Sequence, residues 1–201
     1  MNEPSRPRGP SVPLGCTVEP ASVHGPPAPV LVAGAGNIFL GDDGFGCEVV
    51  ARLGERDLPE GVDVRDYGIG GLHLAYDLLE GHRTLLLVDT IARGAEPGSL
   101  CLLEVGEQDL AEGVLETHGM DPATVLATLR TMGGRMPRTL VLGCEPSEVV
   151  ERIGLSTPVG AAVEAAVDAV VDVVLDELAA PPGTQAPDAG TRVPDAGAGG
   201  P

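Results

Sequence analysis

The chain has 201 residues and a formal net charge of −18, from 12 basic and 30 acidic side chains, with a pI near 4.3. Such a surface repels nucleic acid and anionic membranes, which are bound through cationic patches. The N-terminus has no apolar leader segment, and no apolar run approaches the ~20 residues of a bilayer span, so a cytoplasmic protein is expected.

Residues 1–29 are dense in proline and nearly free of periodicity, and residues 181–201 are mostly Pro, Gly and Ala. Neither stretch carries enough apolar surface to offset its ordering entropy, so both are expected to be disordered tails. Residues 30–180 remain, about 150 residues, the usual size of one domain. Cys16, Cys47, Cys101 and Cys144 form no CxxC. The last three sit in apolar patterns and resemble buried thiols of a reducing compartment.

The first element is the apolar run Val30 to Ala33, a buried strand by pattern. Gly34-Ala35-Gly36-Asn37 then turns the chain, and the acidic pair Asp42-Asp43 stands between Gly41 and Gly44. Phe45, Val49 and Leu53 recur at helical spacing. The glycines begin like a dinucleotide fingerprint, but Phe39 stands where its third glycine would be. No GxxxxGK[ST] is present, and two carboxylates would repel a phosphate at this helix start. Helix capping is the ordinary use of such an Asp, yet one cap does not explain two acids, and Asn37 adds a further polar group.

Val62 to Tyr67 alternates as a strand and is followed by the turn Gly68-Ile69-Gly70-Gly71. Leu72, Ala75, Tyr76 and Leu79 then fall at helical spacing, with His73 and His82 placed at the surface. Thr84 to Val88 is a continuous apolar run, the mark of a strand covered on both faces, and it ends on Asp89. Ser99 to Val105 is a further strand. Too few residues separate it from the preceding one for a parallel crossover, so the two are expected to be antiparallel neighbours.

Residues 106–120 form a polar connection ending Glu116-Thr117-His118-Gly119-Met120. A helix begins near Asp121-Pro122, with Asp121 as its cap and Val125, Leu126, Leu129 and Met132 as its stripe. Thr139 to Cys144 is the fifth strand. Thr157-Pro158 caps and opens a last helix, which buries Val159, Val163, Val167, Val170, Val174 and Leu178. The alternation predicts an α/β fold: a three-layer α/β/α sandwich on a five-stranded, mostly parallel twisted sheet with one antiparallel strand.

In such sheets functional groups gather beyond the carboxyl ends of the strands. Asp42-Asp43, Asp89 and His118 fall there. Two carboxylates and an imidazole in one crevice would make a divalent metal site, better suited to nickel, zinc, cobalt or manganese than to calcium. Taken singly each has an ordinary reading as turn residue or solvated histidine. No GxSxG or Cys-His motif competes.

GAGNIFLGDDGFG, DYGIGG, LLLVDTIARGAEPG, ETHGM and GCEPSEVVERIGLSTPV, in this order, resemble the maturation endopeptidases of nickel-iron hydrogenases. The resemblance spans residues 30–178. It implies an endopeptidase that removes the C-terminal extension of a hydrogenase large-subunit precursor. It also implies that Asp43, Asp89 and His118 act as catalytic and metal-contacting residues toward nickel carried by that precursor. No organic cofactor is implied, and a monomer is expected. Tyr67 stands where the family usually has glycine, on a segment expected to meet the substrate.

Two routes to bond cleavage stay open. A bound metal polarises the carbonyl or a water, or Asp42, Asp43 or Asp89 serves as general base. No nucleophilic residue is evident, so direct attack by water is expected. Two rival readings come from other classes. One is a non-catalytic nickel-sensing chaperone of hydrogenase assembly, the other a germination-protease-like peptidase using paired aspartates.

Overall fold

The central strands are built from uninterrupted apolar runs, and that pattern is stable only where both faces of a strand are covered. The computed structural model describes residues 27–106 and 122–180 and shows this arrangement. Strand β1 (Val30–Ala35), β3 (Thr84–Thr90) and β5 (Arg138–Cys144) lie inside the sheet. Strands β2 (Val62–Gly68) and β4 (Leu100–Val105) form its edges, in the order β2-β1-β3-β5-β4. All pairings are parallel except β4 with β5.

Successive residues of a strand face opposite sides, and the cores divide accordingly. Val30, Val32, Leu86, Val88, Leu140 and Leu142 pack under α1 (Phe45–Leu53) and α4 (Thr157–Ala179). Leu31, Ala33, Leu85, Leu87 and Val141 pack under α2 (Gly71–Leu78) and α3 (Pro122–Thr131). The three-layer sandwich with one antiparallel strand is therefore the observed fold. No described helix is long and apolar enough to cross a membrane.

Several local expectations are corrected. Strand β4 runs antiparallel as expected, but its neighbour is β5 and not β3. The short β3–β4 link excludes a parallel crossover but leaves room for another strand to enter between the two. On α2 the buried face is Leu74, Ala75 and Leu78, while Leu72, Tyr76 and Leu79 are exposed. This short helix is apolar nearly all round, so its sequence offers two stripes and packing against the sheet selects one.

His82 is buried and not a surface residue; its Nδ1 lies 2.7 Å from the Ala28 carbonyl oxygen. Tyr67 is half-buried against the second core and donates its hydroxyl to Asp77 (2.7 Å). The N-cap of α4 is Ser156, not Thr157. The expected tails, Cys16, most of the 106–120 connection and the Asp121 cap lie outside the described residues, apart from residues 27–29 and Gly106.

Candidate active site

Chain order places the site. From β1 the chain crosses under α1 to β2 on one side. It then returns under α2, on the opposite face, to β3 on the other side of β1. The carboxyl ends of β1 and β3 thus flank the point where successive connections diverge, the place where open α/β sheets gather their functional groups. Asp43 follows β1 in a 3₁₀ turn (Gly41–Gly44), and Asp89 is the penultimate residue of β3.

Glycine lets these segments approach. Gly46, in the first turn of α1, lies so close to the sheet that a Cβ would come within 2.1 Å of the Val88 carbonyl oxygen and 2.3 Å of the Ala35 oxygen. Gly36 has φ +125°, and a Cβ there would sit 1.7 Å from the Asp43 carbonyl oxygen. Side chains at either position would push the 3₁₀ turn away from the sheet.

The two adjacent acids are both fully buried, yet they point to different tasks. Asp42 accepts hydrogen bonds from the N–H groups of Ser147 (2.8 Å), Glu148 (3.1 Å) and Ser156 (2.6 Å), and from the Ser156 hydroxyl (2.9 Å). Burial alone would raise its carboxyl, but these donors outweigh that and hold it below the usual carboxylate range. With its lone pairs spent on the β5–α4 loop, Asp42 is a structural clamp and a poor general base. Neither acid caps a helix: no side-chain cap bond forms at the 3₁₀ turn or at α1.

Asp43 accepts the Asn37 N–H (2.8 Å) and the Thr90 hydroxyl (3.5 Å). Thr90 also donates its N–H to Asp89 Oδ1 (2.7 Å), so one residue engages both acids. The other oxygen, Asp89 Oδ2, is buried without a hydrogen-bond partner among the described residues. Burial, and after it the Asp43 charge, push the Asp89 carboxyl up to about 8, against the opposing bonds from Thr90. Near neutral pH Asp89 therefore keeps its proton most of the time, so the two buried carboxyls do not both carry a charge.

The structure thus brings Asp43 and Asp89 together around Thr90, both buried, and assigns Asp42 elsewhere. His118 lies outside the described residues, among which no group of three His, Cys, Asp or Glu side chains is placed to hold a metal ion. Thr90 and Ser156 escaped the sequence reading. The one available signal was a hydroxyl residue directly after a strand-end Asp, too common to single out. Asn37 contributes its backbone N–H to Asp43 and uses its side chain on the Phe39 N–H (3.0 Å).

The nearby thiol is inert. Burial, then Asp66, Asp89 and Asp43, push Cys47 up to about 12, so it remains protonated at neutral pH and is no nucleophile.

The family model HycI, described as hydrogenase maturation protease, matches residues 47–173. Coenzyme F420 hydrogenase subunit delta of Methanothermobacter thermautotrophicus is 35% identical over 144 residues, 68% of this chain and 88% of the relative. The hydrogenase maturating endopeptidase HybD of Escherichia coli superposes with a TM-score of 0.63 at 30% identity, covering 73% of this chain and 92% of that one. The hydrogenase 2 maturation peptidase of a Thaumarchaeota archaeon gives 0.56 at 32% identity, covering 72% and 97%.

Proposed function

The chain belongs to the hydrogenase maturation protease family and is one of its processing endopeptidases, and we propose that it removes the C-terminal extension of a nickel-loaded hydrogenase large-subunit precursor. The nickel is part of the substrate. Asp43 and Asp89, with His118 as third donor, contact it and so admit only precursors in which the metal is in place. Oxygen and nitrogen donors suit a thiolate-held nickel with open positions.

The observation that carries this reading is the buried, unpartnered Asp89 Oδ2 beside Asp43. An uncomplexed carboxyl pair of this kind is destabilised, and a metal ion relieves it. The nickel-free precursor offers no such gain, so selection follows from differential binding.

Water is the attacking group on this reading, since Cys47 is held as a thiol and Asp42 is occupied. Asp43 and Asp89 remain as candidates to take the proton from that water. Nickel bound through the precursor's own ligands supplies polarisation of the scissile carbonyl.

The test is the intact mass of a purified nickel-loaded precursor before and after incubation, with a nickel-free precursor and the His118→Ala variant in parallel. Loss of a C-terminal peptide only with nickel and wild-type protein supports the proposal. Cleavage independent of nickel, or tight binding of the cognate precursor with unchanged mass, overturns it.

A further inference from the structure

Between α1 and the start of α4 lies an open groove of about 600 Å³, within the range of volumes that hold ligands. Ile38 on the β1 loop and Ile153 and Leu155 on the β5–α4 loop form its apolar sides, above Ala51, Gly160 and Val163 of the two helices. We propose that this groove seats an extended, mainly apolar segment of the protein substrate next to the bond that is cut. The inference rests on the function proposed above and adds the chemistry of the recognised segment.

The first ground is continuity with the site. Gly41 and Gly44, the two ends of the turn that carries Asp43, also line the groove. A chain lying in it therefore runs past the Asp43 turn. A peptide carbonyl is open to attack only when it is free of helix or sheet, so the segment enters extended.

The second ground is charge. Of the four charged side chains of the lining, three are tied up in ion pairs: Arg52 pairs with Glu48 (3.0 Å) and Glu164 (3.1 Å), and Glu164 also meets Arg56 (3.0 Å); the fourth, Asp66, is exposed and accepts the Gly68 N–H (2.9 Å). What the groove offers an incoming chain is mainly apolar contact, although the protein as a whole carries −18.

The third ground is a rigid apolar crest. Ile153 is 76% exposed and Ile38 50% exposed. Their loops are joined by the Gly41 N–H to the Arg152 oxygen (2.8 Å) and the Arg152 N–H to the Phe39 oxygen (3.0 Å), and Asp42 clamps the same loops from inside. Five of the nine exposed large hydrophobics among the described residues, Ile38, Phe39, Ile69, Val150 and Ile153, stand on loops that follow β1, β2 and β5 at the carboxyl edge. Apolar groups fixed in water on a well-bonded frame lose little entropy when a partner covers them.

Gly160 supplies the decisive variant. It is exposed, its φ is not positive, and a Cβ there meets nothing nearer than the Leu155 Cβ at 3.9 Å. Gly160→Leu adds bulk to the groove while raising helix propensity, and thermal unfolding is expected to show the fold intact. Ile153→Lys changes a side chain that has little burial to lose, and Leu175→Lys, at an exposed site late in α4, is the control.

Steady-state cleavage of the nickel-loaded precursor is followed by intact mass. Gly160→Leu and Ile153→Lys are expected to raise KM about tenfold or more with kcat within about twofold, and Leu175→Lys to match wild type. Unchanged KM in both folded variants, with wild type active, overturns the groove and leaves the proposed function standing. A wild-type protein that fails to cut the loaded precursor overturns both.

Discussion

Ser156 donates both its N–H (2.6 Å) and its hydroxyl (2.9 Å) to the carboxylate of Asp42, 114 residues earlier in the chain. The residue in the N-cap position of α4 thus spends its side chain on the turn after β1 and not on its own helix. Asp42 and Asp43 are adjacent in sequence, but this bond commits the first to the β5–α4 loop, while the second shares Thr90 with Asp89.

Replacing Asp42 tests that division. Asp42→Ala leaves three backbone donors and a hydroxyl without their acceptor and is expected to cost about 2–4 kcal/mol in urea unfolding. Because its folded pKa is lowered, the Asp42 contribution is present above the unfolded carboxylate range and lost as pH falls through the folded value. The difference between wild type and Asp42→Ala should therefore shrink on acidification. A difference that grows toward low pH contradicts the assignment.

Asp89 behaves in the opposite sense. Its folded pKa near 8 lies above the unfolded value, so in the metal-free protein its ionisation penalises folding increasingly as pH rises toward 8. Asp89→Asn should stabilise the metal-free protein, with an advantage that widens by about 2–4 kcal/mol between pH 5 and pH 8. Urea midpoints at the two pH values measure it. The same variant should lose precursor cleavage, which separates the role of Asp89 in activity from its cost to the fold.

Gly46→Ala is expected to destabilise severely, by more than about 3 kcal/mol, because the added methyl collides with backbone of both β1 and β3. Thermal unfolding or soluble yield reports it. Gly81→Ala, where nothing lies within 4 Å of the added carbon but φ is +97°, should cost about 1 kcal/mol from backbone strain alone.

Glu145 holds the loop after β3. Its carboxylate accepts the Arg93 N–H (2.7 Å) and the Gly94 N–H (3.1 Å), and the side chain is buried. Glu145→Ala should cost about 1–3 kcal/mol, since both donors lose a charged acceptor. It should also speed limited proteolysis between residues 92 and 98, because that loop loses its anchor. Unchanged proteolysis would mean the loop is held by other contacts.

Much of this fold was legible because its signals are local and strong. Val30 to Ala33 and Thr84 to Val88 are apolar without break, as doubly covered strands must be. The valine stripe of α4 and the Val125, Leu126, Leu129 stripe of α3 are buried as their spacing predicts. The errors share one cause: competition between alternatives that local sequence does not rank. Either side of α2 was apolar enough to bury. Strand β4 had to pair antiparallel, but two strands could have accepted it. His82 looked like a solvated loop residue because no local pattern shows that the Ala28 carbonyl is waiting for it.

By itself the sequence determined the α/β class, the two strand-end positions that carry Asp43 and Asp89, and the membership carried by motifs around them. These follow from hydrophobic periodicity and from residue identity at loop positions, which are properties of short segments. Only the tertiary structure decided which of two neighbouring acids clamps the β5–α4 loop and which joins Asp89, that Thr90 engages both site carboxyls, and that Asp89 Oδ2 has no donor among the described residues. Those facts depend on donors brought from 47 and 114 residues away. Hydrogen bonding and desolvation are set by what surrounds a group in space, so no single stretch of chain contains them.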